Sequence, residues 1–233
     1  MNLDEFEALT RRRRAVRHFK PDPIADDLLH RLLDAAHWAP SGYNLQPTHF
    51  VIAKDAEIKE ELWKACLQQR QVKEAPATIV FTGDRNVVEN HFETIIAMER
   101  ETGAINPDYE KLYRTFVPLA FSHAPAGLGW LWKAAILPLL QFFRPIPNMP
   151  AVHKRYWLAK QTLLSAMVFM LAAESAGLAT APMEGFDERR VKKVLKIPAS
   201  HIVPLVISIG YAQEGNLIKT RLPVKQLIHE NSW

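Results

Sequence analysis

Arginines crowd one short stretch of the chain: RRRRAVRHF, residues 11–19, holds Arg11, Arg12, Arg13, Arg14 and Arg17. Guanidinium groups at that spacing, where a helix gives way to a loop, can clamp a phosphate through paired N–H donors. A lysine ammonium cannot reproduce that geometry. A solvated basic face or a non-specific nucleic-acid patch would use the same residues. Lys219, Thr220 and Arg221 form a second short basic site towards the other end of the chain. Only nine glycines serve all 233 residues, and neither GxGxxG nor GxxxxGK followed by Ser or Thr occurs. A phosphate would therefore have to be held by side chains and not by a glycine-rich loop.

Two further loops carry polar groups at useful spacing. In APSGYNLQPTHF (39–50), Ser41 and Asn44 can each donate and accept a hydrogen bond, as reading the carbonyl and imide edge of a heteroaromatic ring requires. Turn chemistry accounts for the same residues more plainly. In PMEGFD (182–187), Gly185 allows backbone to approach a ligand closely, and N–H groups at the helix start beyond it point outward. Asp187 as an ordinary N-cap is the plainer reading there. The nine histidines form no HExxH, and GxSxG is absent, so metal-dependent and serine hydrolysis lack support. The single cysteine, Cys66, excludes an internal disulfide and a thiolate-rich zinc site, and agrees with a reducing compartment.

These loops need a scaffold, and 233 residues, 48% of them apolar and 23% charged, suit one domain spanning 1–233. Leu3, Phe6 and Leu9 recur at helical spacing and predict a helix running into the arginines and stopped by Pro21 and Pro23. A second helix is expected at about Asp26 to His37, closed by Pro40, with a charged helical segment at about 56–70 between strands at 49–53 and 77–83. Helices follow near Val87 to Glu101 and Tyr156 to Ala176, the latter capped by Gly177, then a charged helix at 187–195 and a buried strand at 202–212. These elements predict helices around a small mixed sheet. The apolar region 116–147 contains Trp130, Trp132, Phe142 and Phe143, but Pro125, Lys133 and Pro138 leave no run long enough to span a membrane. That much apolar surface calls for a cover, and membrane-surface contact is the minority reading for it. The net charge of +4 is too small to argue for nucleic acid, and MNLDEFEALTRRRR lacks the apolar core of a leader, so a cytoplasmic address is expected.

Taken in order, RRxVRxF, APSGxNxQPxHF, a tryptophan-led WLAKQ helix, APxEGFD and a late IxxGY followed by KxRLP resemble the FMN-dependent nitroreductase family. The resemblance runs from about Leu9 to Pro223 and leaves roughly 116–150 uncovered. It implies an α+β fold, an α/β/α sandwich with a mixed four-stranded sheet between helices. It further implies a cytoplasmic homodimer with FMN at the subunit interface and a domain-swapped C-terminal arm, here 213–233, embracing the partner.

By the same resemblance, Arg13 faces the FMN phosphate and ribityl chain with Arg14 and Ala15 beside it, and Arg17 faces the N1 and C2 carbonyl edge. Lys219 and Arg221 complete the phosphate site. Pro40, Ser41 and Asn44 come from the other subunit, and Gln68 and Gln71 read the pyrimidine edge. Pro182, Met183, Glu184 and Gly185 lie by the ring, with a backbone N–H directed at N5; Glu184, Gly185 and Arg17 are the catalytic set. Ala15 stands where the family usually has serine, Gln71 where some members have lysine, and Thr48 where tryptophan is common. The implied activity is ping-pong transfer of hydride from NADH or NADPH through FMN to a nitroaromatic, quinone or activated alkene, with no metal. Another branch of the superfamily, flavin-destroying or dehalogenating, and a basic membrane-surface or nucleic-acid binding module without redox activity are the alternatives.

Overall fold

The structure, a computed structural model, describes residues 2–121, 153–213 and 218–233, together with residues 135, 139, 142, 143, 145 and 150. Four strands form one sheet in the order β1-β2-β4-β3: β1 (Thr48–Ala53), β2 (Ala77–Asp84), β3 (Ala179–Met183) and β4 (His201–Gly210). Every neighbouring pair runs antiparallel. The mixed character expected of the sheet is confined to one parallel bridge, Ala15 to Thr180, where the arginine loop meets β3. The physical reason is that a single bridge satisfies only the loop, which turns away before a ladder can form; Val16 N–H donates to Thr180 O at 3.0 Å.

Alternation along the strands divides the sheet into two buried faces. Ile79, Phe81, Leu205, Ile207 and Ile209 pack against α2 (Asp26–His37) and the long α7 (Lys154–Ser175). Val80, Val206 and Met183 pack on the opposite face against α3 (Ala56–Ala65) and α8 (Glu188–Val194). With both faces covered, β2 is buried along its whole length. This is the α/β/α arrangement the sequence implies. The remaining helices are α1 (Leu3–Arg12), α4 (Arg70–Glu74), α5 (Val87–Glu101) and α6 (Pro107–Phe121).

Some elements depart from expectation. Helix α1 ends at Arg12, with Arg13 already non-helical at ψ 129°, so the prolines do not stop it. Its apolar stripe buries only Leu9, while Leu3 and Phe6 stay exposed. The segment expected as one helix over 56–70 breaks after Ala65 into left-handed Leu67 and Gln68 before α4 begins. Helix α6 runs into the start of the tract read from residue 116 as apolar, with Pro107 at its first position, where the missing N–H costs nothing. Most of the 116–147 tract, including Trp130 and Trp132, lies outside the described residues; Phe142 and Phe143 are described and exposed. Helix α7 ends as foreseen, with Gly177 at φ +75° and Leu178 N–H reaching back to Ala173 O. It is long and apolar enough to cross a membrane by length and composition, but it is the helix that packs against all four strands.

Candidate functional site

The arginine loop is fastened from both sides. Val16 N–H bonds to β3, Lys20 N–H donates to Tyr211 O at 2.9 Å, and Gln213 N–H donates to His18 O at 3.0 Å. Phe19, buried between them, plugs the loop into a small core with Ala75, Ala179 and Ala181. Gly210 makes this possible: a Cβ there would lie 2.5 Å from Pro76 Cδ and 3.1 Å from the Phe19 ring. Residues 13–18 are thus held across the sheet edge, with Arg17 exposed, Arg14 half-buried and the half-buried Arg13 guanidinium reaching Met170 Sδ at 4.0 Å.

Above that loop lies a cleft of about 790 Å³ lined by Arg13, Arg14, Ala15, Arg17, Pro182 and the returning tail residues Lys219 and Arg221. Lys219 ties the two chain ends together. Its ammonium donates to Thr10 O at 2.8 Å and to Arg13 O at 2.9 Å, occupying carbonyls that α1 leaves open at its C-terminus. An ammonium has a further N–H, which no described residue accepts. Burial first, and then the charges of Arg221, Arg13 and Arg14, hold Lys219 below the ordinary lysine value. Cations gathered this closely repel one another, and an anion in the cleft relieves that repulsion.

The other ring-reading candidates fall in different places. Pro182 lines the cleft, whereas the Met183 side chain turns into the core with Val80 and Val206, as strand alternation demands. Glu184 and Gly185 are exposed at the turn beyond β3. Among the described residues nothing accepts from the Gly185 N–H, while its carbonyl accepts from Gln69 Nε2 at 2.6 Å. Gln71, nearly buried, donates in turn to Gln69 Oε1 at 2.9 Å; Gln68 is exposed in its left-handed backbone. Gln69 is the residue that sequence reasoning missed, although it sits in the run QQRQ between two chosen glutamines. Glu74 was missed as well. It binds Arg70 on its own helix, accepts from Phe19 N–H at 3.4 Å and pairs with His18, so α4 supports the arginine loop. Burial raises the Glu74 carboxyl, but those partners outweigh it and leave it below the usual value.

Asp187 is an ordinary N-cap, its Oδ1 accepting from Arg189 and Arg190 N–H. Pro40 and Ser41 lie outside the cleft within the protomer, in a small separate cavity with Gln161 and Ser165. Ser41 Oγ accepts from Gln46 N–H, and Asn44 donates to Glu99. Tyr43, Asn44 and Gln46 all hold φ near +50°, an arrangement that side chains adopt only under constraint.

A family model described as the nitroreductase family matches residues 10–211. An NADH dehydrogenase of Thermus thermophilus is 28% identical over 217 residues, 93% of this chain and 91% of its own length. A provisionally named nitroreductase of Bacillus subtilis, ydfN, is 26% identical and superposes with a TM-score of 0.76 over 98% of this chain and 99% of its own. A further provisionally named nitroreductase, from Exiguobacterium sibiricum and solved in complex with FMN, shares the fold at 20% identity, with a TM-score of 0.71 over 98% of this chain and 97% of its own.

Proposed function

The chain belongs to the nitroreductase family of oxidoreductases, and from that premise we propose that it is an FMN-dependent enzyme that oxidises NADH or NADPH and reduces nitroaromatics, quinones or activated alkenes. Lys219 carries this reading, because it lines one cleft with Arg13, Arg14 and Arg221 and fastens the tail to the carbonyls of Thr10 and Arg13. The cleft volume of about 790 Å³ falls within the range of small-molecule sites. Its charge suits a phosphate held by side chains, in keeping with a glycine-poor chain.

When bound, FMN supplies a two-electron carrier that accepts hydride from a nicotinamide and passes electrons to an acceptor. The chain's own tasks are orientation and charge. Arg13, Lys219 and Arg221 would hold the phosphate, and Arg17 would offset negative charge at the N1 and C2 edge. Gly185 would present its N–H towards the ring, its carbonyl fixed by Gln69, which Gln71 orients from a nearly buried position. Solvent can supply the proton to the acceptor.

Pro40, Ser41 and Asn44 would act on the ring of a second copy, which their position outside this cleft supports. Leu163, Leu164 and Met167 on α7 are part-exposed apolar residues, and Leu222, Val224 and Leu227 in the arm are largely exposed. Both surfaces suit burial in a homodimer with the arm on its partner. Anaerobic mixing of FMN-loaded protein with each nucleotide tests the activity: the flavin absorbance should bleach and then recover on adding a quinone or a nitroaromatic. Failure of both nucleotides to bleach it rejects the proposal. A monodisperse monomer in sedimentation that retains stoichiometric FMN would reject the dimer.

A further inference from the structure

At the opposite end of the sheet the strands bring together a different set of groups. Asp84, the last residue of β2, stands directly across from His201, the first of β4. His49 on β1 is opposite Thr82, two residues before Asp84. Side chains two apart on a strand share a face, so His49, Asp84 and His201 project from the same side as one direct and one diagonal neighbour. One ligand atom from each lies within 4.8 Å of the others. Zinc-to-ligand distances of about 2.0 to 2.1 Å would require each atom to move inward by less than about 1 Å, which side-chain rotation supplies.

The surroundings resemble the outer support of a metal site. Asp84 is 1% exposed. Its oxygens accept from neutral donors, Asn86 N–H at 2.8 Å and Asn90 Nδ2 at 2.6 Å, which fix the carboxylate and leave lone pairs directed elsewhere. Among the described residues Lys154 feels the Asp84 charge but does not reach ion-pair distance. A buried carboxylate without a paired cation is costly. Ser200 Oγ lies 3.3 Å from His201 Nδ1, leaving Nε2 for a ligand. His91, whose ring packs 5.6 Å from that of His49, has Nδ1 at 3.1 Å from Leu45 O. A carbonyl only accepts, so Nδ1 of His91 is the donor in that contact.

We propose that His49, Asp84 and His201 form a binding site for a divalent transition-metal ion of the zinc class, which ties together the ends of β1, β2 and β4. Two imidazoles with one carboxylate select such an ion over magnesium or calcium, which prefer all-oxygen sites. Exposed His49 leaves a coordination position on the solvent side for water. The site is remote from the arginine cleft and independent of the redox reading.

Chelator-treated, FMN-loaded protein without a histidine tag tests it by titration with cobalt(II) as the spectroscopic probe, followed by zinc competition. One equivalent of cobalt should give visible d–d absorption that zinc abolishes and magnesium does not, and zinc should raise Tm. His49→Gln, at an exposed strand position, should weaken zinc binding at least about tenfold. Asp84→Asn keeps the shape of the carboxylate and should do the same. Far-UV circular dichroism and Tm of the metal-free variants report whether each is folded. No cobalt absorption with an unchanged Tm in wild-type protein would overturn the proposal, as would a folded His49→Gln that binds zinc as tightly as wild type.

Discussion

The two ends of β4 solve opposite electrostatic problems. Past its C-terminal end, the chain gathers Arg13, Arg14, Lys219 and Arg221 around an open cleft. At its N-terminal end, a buried carboxylate, Asp84, faces imidazoles and neutral amides. One end has an excess of positive charge near water, the other a buried carboxylate that no described cation reaches at ion-pair distance. Water screens the first and makes it a site that a large anion can enter and leave; burial concentrates the second and makes it fit for a small cation. Charges that fail to cancel locally mark the places where each end expects something else.

Reversing the charge at the centre of the cleft breaks this comparison most severely. Lys219→Glu should remove two bonds to α1 and add repulsion to a phosphate, lowering FMN affinity more than about a hundredfold, since charge-assisted hydrogen bonds are worth about 1.5 to 3 kcal/mol each. Metal affinity at the other end should not change; fluorescence titration of FMN beside zinc competition checks both. The milder Arg221→Ala should cost roughly tenfold to a hundredfold in FMN affinity by the same titration.

Packing beneath the cleft comes next. Gly210→Ala places a methyl 2.5 Å from Pro76 Cδ and against Phe19, so thermal unfolding should show a loss of about 1 to 3 kcal/mol. Because Phe19 anchors the arginine loop, FMN affinity should fall with it. Gln69→Ala is smaller: it frees the Gly185 carbonyl, and hydride transfer from the nucleotide should slow several-fold in stopped flow while FMN binding stays near that of wild type.

The smallest effect is a pH dependence with two signs. Lys219 is held below the ordinary lysine value of 10.5. Between its lowered value and 10.5 the unfolded chain binds more protons than the folded one, so the cofactor-free protein should gain stability as pH rises through that window. Over the same window the lost ammonium should weaken FMN binding. Chemical denaturation and FMN titration from neutral pH upward would show the two trends diverge.

Local punctuation made much of the scaffold readable. Helices α2 and α5 lie where sequence periodicity places them, and Gly177 caps α7, because prolines, glycine and regular apolar spacing act within a few residues. The break at Leu67 and Gln68 carries no glycine or proline; it is imposed by packing of α3 and α4 on the sheet, which no local pattern records. The cationic half of the site was readable because arginine clusters are conspicuous in a glycine-poor chain. Gln69 and Glu74 were not, since their roles consist of reaching Gly185 and Phe19, which lie far from them in sequence. The histidines at the far end were invisible as a group for the same reason: His49, Asp84 and His201 meet only through strand register.

The Lys219 bonds to Thr10 and Arg13 join residues 209 and 206 positions apart. On a ribosome, the arginines wait some two hundred residues for the lysine that organises them. The sheet, its helices and both of its cores can assemble while the cofactor cleft still lacks its floor. Tight loading of FMN should therefore wait until residue 219 is in place, with free flavin acting on a sheet already formed. A released chain that stops before residue 219 should be folded through most of its length and bind FMN far more weakly than the full chain in fluorescence titration.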